Sequence, residues 1–214
     1  MLGLPVYPPK KLTAIKEVGQ AVLFRQICED LTKQSYSIHL NAIPKALIML
    51  LSDRVKSENG PHYISAGIGR KTDHHLNQNV RNDEIAWIDD DLPTDHIWIK
   101  WMETFRIAIN RHLYMGLTSV ESHYARYYKG GFYKKHIDAF SGVNNRKISL
   151  VLFLNEFWKV ADEGELKLYI GPESQEEILI SPHLGTLVVF LSNEIPHEVL
   201  PTNIIRNSIA AWYR

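Results

Sequence analysis

What most restricts the fold of this chain is a change of texture after Gly116. From there on, short runs rich in β-branched and aromatic residues follow one another between turn residues. They span 119–128, 133–138, 147–154, 165–170, 177–180, 185–191, 197–200 and 206–213. About eight such strands, punctuated by Gly, Pro, Asn and Asp, predict a double-sheet barrel or jelly roll. The first 115 residues then supply helices packed against one of its sheets. The expectation is an α+β protein, mainly β, in a single domain over 1–214. Residues 1–115 give helical support and a substrate loop, and 116–214 give the jelly-roll core.

Upstream, the prolines among residues 1–13 predict an extended leader, since proline blocks a helix and restricts the residue before it. Val18, Val22, Phe24, Ile27 and Leu31 recur at near-helical spacing, so a helix is expected over 14–33. A short strand follows at 36–40, and Pro44 opens a second helix to about residue 56. The Gly- and Asn-rich, polar stretch 57–82 reads as a long surface loop, and loops of that length are commonly functional. Asp95 is positioned to cap a helix over 96–112, with Ile97, Trp98, Trp101, Phe105, Ile109 and Leu113 on its apolar side.

Composition removes several partners. Twenty-four Lys and Arg balance twenty-four Asp and Glu, so no global field draws nucleic acid or an anionic membrane. The longest apolar run, 46–51, is far below the roughly 20 residues that span a bilayer. The one cysteine, Cys28, excludes an internal disulfide and a cysteine metal cluster and fits a reducing compartment. The expected location is the cytoplasm.

The chemistry concentrates in two of the strand runs. Alternation puts His136 and Asp138 on one face, about 7 Å apart at their α-carbons. His197 begins another strand directly after Pro196. Two histidines and one carboxylate on one side of an ion leave its other positions open, the arrangement of non-haem Fe(II) oxygenases. An H-x-D pair is also a common surface accident, and His74 and His75 are further histidines in the polar loop. Arg206, nine residues beyond His197, changes the balance. Alternation places Arg206, Ser208, Ala210 and Trp212 on one strand face and Asn207, Ile209, Ala211 and Tyr213 on the other. With both faces covered, Arg206 is a cation in an apolar cavity that calls for a bidentate carboxylate. The plainer alternative is a rim arginine in a surface ion pair.

His136-x-Asp138, His197 and Arg206 together resemble the 2-oxoglutarate and Fe(II)-dependent dioxygenases, within their prolyl 4-hydroxylase branch. Gly164-Glu165-Leu166, the run from Pro182 to Phe190, Pro196-His197-Glu198-Val199 and Trp212-Tyr213 extend the likeness. The run from Ala66 to Arg70 and that from Arg81 to Ile88 are similar to the hypoxia-factor (EGL-nine type) prolyl hydroxylases and their compact bacterial relatives. The resemblance covers about residues 35–214.

It implies a double-stranded β-helix, with His136, Asp138 and His197 as iron ligands and Arg206 as partner of the distal carboxylate of 2-oxoglutarate. Tyr127 corresponds to a cosubstrate-pocket tyrosine. Trp212 and Tyr133 correspond to aromatics around the target proline, and Arg146, Arg81, Asp83 and Trp87 to the substrate-facing rim and its loop. Phe153 departs from the pattern, standing where hypoxia-type enzymes turn a tyrosine hydroxyl toward that carboxylate; Ser208 is the candidate replacement. For Tyr124, Tyr128, Phe132 and Tyr133, sheet packing is as good a reading as function.

The implied reaction is hydroxylation of a prolyl residue in a protein, coupled to conversion of 2-oxoglutarate and O2 into succinate and CO2. Elongation factor Tu is the suggested bacterial substrate and ascorbate an accessory reductant. The loop at 57–82 would fold over the polypeptide, its base fixed by Arg81 and Asp83. Retention of Asp138 argues against a halogenase. A small-molecule hydroxylase with a pocket closed by that loop, and a non-catalytic metal-binding jelly roll, are the alternatives. Zero net charge disfavours a nucleic-acid demethylase.

Overall fold

The computed structural model describes residues 6–7, 19–67, 79–89, 92–139 and 146–214. Its elements run β1 (Val6–Tyr7), α1 (Gln20–Gln34), β2 (Tyr36–His39), α2 (Lys45–Lys56), β3 (Ile64–Ser65), β4 (Glu84–Trp87) and α3 (Pro93–Leu113). There follow β5 (Val120–Tyr127), β6 (Tyr133–His136), β7 (Ile148–Phe153), β8 (Leu166–Ile170) and β9 (Glu176–Ile180). The last are β10 (Leu187–Leu191), β11 (His197–Val199) and β12 (Arg206–Tyr213). A major sheet in the order β2-β10-β7-β12-β5-β4-β3 faces a minor sheet in the order β1-β9-β8-β11-β6. This is the double-stranded β-helix expected, with the helices on one sheet.

Period-two alternation in the central strands makes two cores from one sheet. Ile209, Ala211 and Tyr213 of β12, Ile148, Leu150 and Leu152 of β7, and Leu187 and Val189 of β10 point to the helices. There they meet Leu23, Phe24 and Ile27 of α1, Leu47 and Leu51 of α2, and Trp98, Trp101, Phe105 and Ile109 of α3. Phe105 sets its ring edge against Tyr213 at 5.6 Å. The opposite faces, with Phe153, Val188 and Phe190, pack on Leu166, Leu168 and Val199 of the minor sheet. Strands buried on both sides hold their register firmly, because a one-residue slip would turn apolar groups out of both cores.

Four expectations change. Helix α3 starts at Pro93, whose fixed φ suits a first helical position, with Leu92 before it. Asp95 therefore lies within the first turn instead of capping it. It is buried there and accepts a hydrogen bond from the Tyr124 hydroxyl at 2.7 Å. Ile97 is exposed, and Met102 takes a place on the buried face. The stretch 57–82 is not all loop: β3 pairs with β4, giving the sheet an edge unforeseen in the sequence, while 68–78 lie outside the described residues. In the leader, Val6 and Tyr7 pair in parallel with Leu179 and Ile180; 1–5 and 8–18, including the start of the first expected helix, lie outside the described residues. Finally, β6 ends at His136, so Asp138 stands past the strand in a bend.

Candidate metal centre and anion pocket

His136, the last residue of β6, and His197, the first of β11, are direct antiparallel partners. Asp138 reaches the same place from the bend, and the three side chains offer ligand atoms all within 4.8 Å of one another. Each imidazole is oriented by its far nitrogen. His136 Nδ1 lies 2.8 Å from the Lys134 carbonyl and His197 Nδ1 lies 3.1 Å from the Ile195 carbonyl. A carbonyl only accepts, so each Nδ1 carries the hydrogen and each Nε2 keeps its lone pair. Those Nε2 atoms stand 3.5 Å from Asp138 Oδ1 and 3.6 Å from Asp138 Oδ2, respectively.

The carboxylate is held as firmly. Ser149 Oγ donates to Asp138 Oδ2 at 2.7 Å and Trp212 Nε1 donates to the same oxygen at 2.8 Å. Ser149 is itself bonded to Ser192 Oγ at 2.9 Å. Burial works to raise the Asp138 pKa, but His197, His136 and the Ser149 hydroxyl outweigh it and hold the carboxyl well below its usual range. Burial also pushes His197 down to about 4, against the pull of Asp138. A charged carboxylate beside two imidazoles with free lone pairs fits a divalent metal, and the fixed outer hydrogen bonds are those a metal site requires.

A buried cation stands at the start of β12. Arg206 is 1% exposed; its Nε donates to the Gly164 carbonyl at 2.8 Å and its Nη1 to Ser208 Oγ at 3.3 Å. Nη2 is buried without a hydrogen-bond partner among the described residues. The rings of Tyr127 and Phe153 each sit 5.0 Å from the guanidinium carbon. Burial pushes the Arg206 pKa down to about 10, opposed by Tyr127, Asp83 and Glu165, so the group stays charged at neutral pH. Gly164, at φ +74°, permits the close approach; a Cβ there would lie 2.8 Å from Thr202 Cβ and 3.3 Å from Arg206 Cδ. A desolvated guanidinium with an unused N–H is a receptor for a carboxylate.

The remaining expected residues divide. Arg81 grips Asp83 through two hydrogen bonds of 2.8 and 2.6 Å and reaches the Gly67 carbonyl at 3.4 Å, tying together the described ends of the 67–81 connection. Asp83 is thus buried inside an ion pair and not on an open rim. The Arg81 guanidinium lies 4.4 Å over the Tyr133 ring, which stacks on His136 at 3.6 Å. Trp87 is half-exposed. Trp212 is mostly buried beneath the Arg146 guanidinium, 3.6 Å from its ring, and Arg146 pairs with Glu121 at 2.8 Å. Tyr124 belongs to the helix-side core, and Tyr128 is exposed.

Sequence reasoning missed Ser149, Glu121 and His123. All three were within its reach through cross-strand register. Ser149 and Glu121 flank Trp212 on the neighbouring strands, and His123 flanks Ala210.

Comparison with known proteins agrees with this geometry. Residues 122–214 match the profile of the 2OG-Fe(II) oxygenase superfamily. Over 154 residues the chain is 29% identical to a hypoxia-inducible factor prolyl hydroxylase of Caenorhabditis elegans, an alignment covering 67% of this chain and 21% of that protein. The chain thus spans about a fifth of that relative's length. A solved prolyl-4-hydroxylase of Pseudomonas putida is 32% identical, with a TM-score of 0.80 over 89% of this chain and 98% of that one. A Trichoplax adhaerens prolyl hydroxylase, solved with a peptide fragment of the hypoxia-inducible factor oxygen degradation domain, shares the fold at 24% identity. Its TM-score is 0.75, over 91% of this chain and 90% of that one.

Proposed function

This chain belongs to the 2OG-Fe(II) oxygenase superfamily, in its prolyl-hydroxylase branch, and from that premise we propose that it hydroxylates a prolyl residue of a protein. His136, Asp138 and His197 are the iron ligands of this reading, and Arg206 receives the distal carboxylate of 2-oxoglutarate. The observation that carries it is the Arg206 guanidinium. Buried, charged and with Nη2 unpartnered, it is a site that only an incoming anion completes.

Iron bound by these ligands supplies activation of dioxygen, coupled to oxidative decarboxylation of 2-oxoglutarate to succinate and CO2. The chain supplies orientation and exclusion of water. Ser149 and Trp212 anchor Asp138 by its Oδ2 and so fix the carboxylate against both imidazoles. The backbone carbonyls of Lys134 and Ile195 keep both imidazoles in the ligating tautomer. Tyr127 and Phe153 line the cosubstrate's path to Arg206, and Ser208 offers the hydroxyl that Phe153 lacks. Tyr133, Trp87 and Arg146 form the wall against which a polypeptide would lie.

Elongation factor Tu is the candidate protein, on the strength of the likeness to compact bacterial members, and ascorbate the candidate accessory reductant. A cytoplasmic setting accords with the buried thiol of Cys28, whose pKa burial pushes up to about 11. Among the described residues no helix is long and apolar enough to cross a membrane.

The experiment is to load the protein with Fe(II) and 2-oxoglutarate without oxygen, add elongation factor Tu or a lysate, and admit air. Mass spectrometry should then find one added oxygen atom on a proline, with succinate formed in step. Succinate formed with added small molecules but never with proteins would move the reading to a small-molecule hydroxylase. No 2-oxoglutarate turnover at all would leave a metal-binding jelly roll.

A further inference from the structure

His123 lies in the wall of the site and has no part in the chemistry described so far. It shares the inward face of β5 with Tyr127, opposite Ala210 of β12 and Trp87 of β4. The imidazole is clamped between two indoles, 5.3 Å from Trp87 at an interplanar angle of 89° and 5.1 Å from Trp212. Its Nδ1 is 3.2 Å from the Tyr124 carbonyl, and a carbonyl can only accept, so Nδ1 carries the hydrogen. Nε2 then holds a lone pair with no hydrogen-bond partner among the described residues, in a side chain 4% exposed. Nε2 is not sealed off from solvent, so a donor entering the site can reach it.

The groups facing it define what that is. Arg81 and Arg146 lie near enough for their charges to act on the ring, each already paired, with Asp83 and Glu121. Burial first, then the charges of Arg81 and Arg146, push the His123 pKa down to about 4 against the pull of Asp83, so the ring stays neutral. The same two cations repel a lysine or arginine. Ala210 opposite leaves only a methyl group in the space above the ring.

We propose that His123 is a specificity residue, its Nε2 accepting a hydrogen bond from a neutral donor of the substrate polypeptide beside the target proline. Proline has no amide hydrogen, so the donor is the backbone N–H or the Ser, Thr, Asn or Gln side chain of a neighbouring residue. Trp87 and Trp212 set the height and angle at which that donor enters. This rests on the prolyl-hydroxylase reading.

The test compares the wild-type protein with His123→Leu, which removes the acceptor, and His123→Gln, which restores one. The probe is a pool of short peptides with a single central proline and randomised flanks, incubated with Fe(II), 2-oxoglutarate and air. For the best peptide of the pool, His123→Leu should raise KM about five- to tenfold, as for one lost hydrogen bond, with kcat nearly unchanged. His123→Gln should recover much of the loss, and affinities for metal and 2-oxoglutarate should match wild type in both. N-methylating each amide of that peptide in turn, and replacing its neutral donors, should reveal one position that matters to wild type and not to His123→Leu. If wild type hydroxylates no peptide in the pool, the prolyl-peptide reading fails and takes this inference with it. If wild type hydroxylates peptides and His123→Leu matches its KM, or loses affinity equally whichever donor is removed, the inference alone is overturned.

Discussion

The ligand triad takes its histidines from the minor sheet and the arginine pocket its cation from the major one, and the two are finished to different degrees. In the triad every orienting hydrogen bond is made: both Nδ1 atoms have carbonyl partners and Asp138 Oδ2 accepts from Ser149 and Trp212. In the arginine pocket the orienting contacts stop short: among the described residues Arg206 has a carbonyl and a serine hydroxyl but no carboxylate, and Nη2 is left over. A binding site for a resident ion can be organised completely in advance. A site for a cosubstrate consumed in each turnover keeps an unpaired charge, and the folded protein bears that cost until the anion arrives.

The largest effect should come from emptying the triad. Asp138→Ala should abolish succinate formation and weaken metal binding severely, since the only anionic ligand is gone; retained turnover would sink the assignment. Next comes the arginine. Arg206→Met should raise the 2-oxoglutarate KM on the order of 100-fold, equivalent to about 3 kcal/mol, while metal affinity holds. The same substitution should raise the melting temperature of the cosubstrate-free protein, because replacing an unpaired buried cation with an apolar side chain stabilises by about 1–4 kcal/mol. A lower melting temperature would mean that Arg206 is internally satisfied and would break the contrast between the two sites.

Ser149→Ala and Trp212→Phe each remove one donor to Asp138 Oδ2 and should weaken metal affinity about tenfold, read by titration of the metal alone. Unchanged affinity in both would show that the triad needs no such support. The smallest change is at Ser208. Ser208→Ala removes the hydroxyl beside Arg206 and should raise the 2-oxoglutarate KM about fivefold, one hydrogen bond's worth, with peptide KM unaffected. No change would end the idea that Ser208 substitutes for the hydroxyl absent at Phe153.

Much of this was legible because side-chain alternation in a strand is a local rule. The eight strands after Gly116 and the inward set Arg206, Ser208 and Trp212 follow from periodicity alone. The triad's membership was legible too, though by an argument only half right: Asp138 shares the site with His136 because the chain bends after β6, not because a strand continues through it. Strand β4 was hidden. Its four residues sit inside a polar stretch and pair with β3 and β5, so their extended form comes from neighbours distant in sequence. Asp95 misled for a related reason, since a residue type favoured at a helix cap is equally at home in the first turn when a proline opens the helix three residues earlier.

What the sequence by itself determined is therefore which residues stand out: His136, Asp138 and His197, which the fold gathers into one cluster that could hold a metal, and Arg206, which it buries. Tertiary structure alone decided how those residues are completed. It placed Ser149 and Trp212 on one carboxylate oxygen, shut Asp83 into its ion pair with Arg81, left Nη2 of Arg206 without a partner, and stood His123 between two tryptophans. Residue type and periodicity are properties of a single strand. Hydrogen-bond satisfaction and burial depend on which strands become neighbours and in what register, and that is settled only when the whole chain has packed.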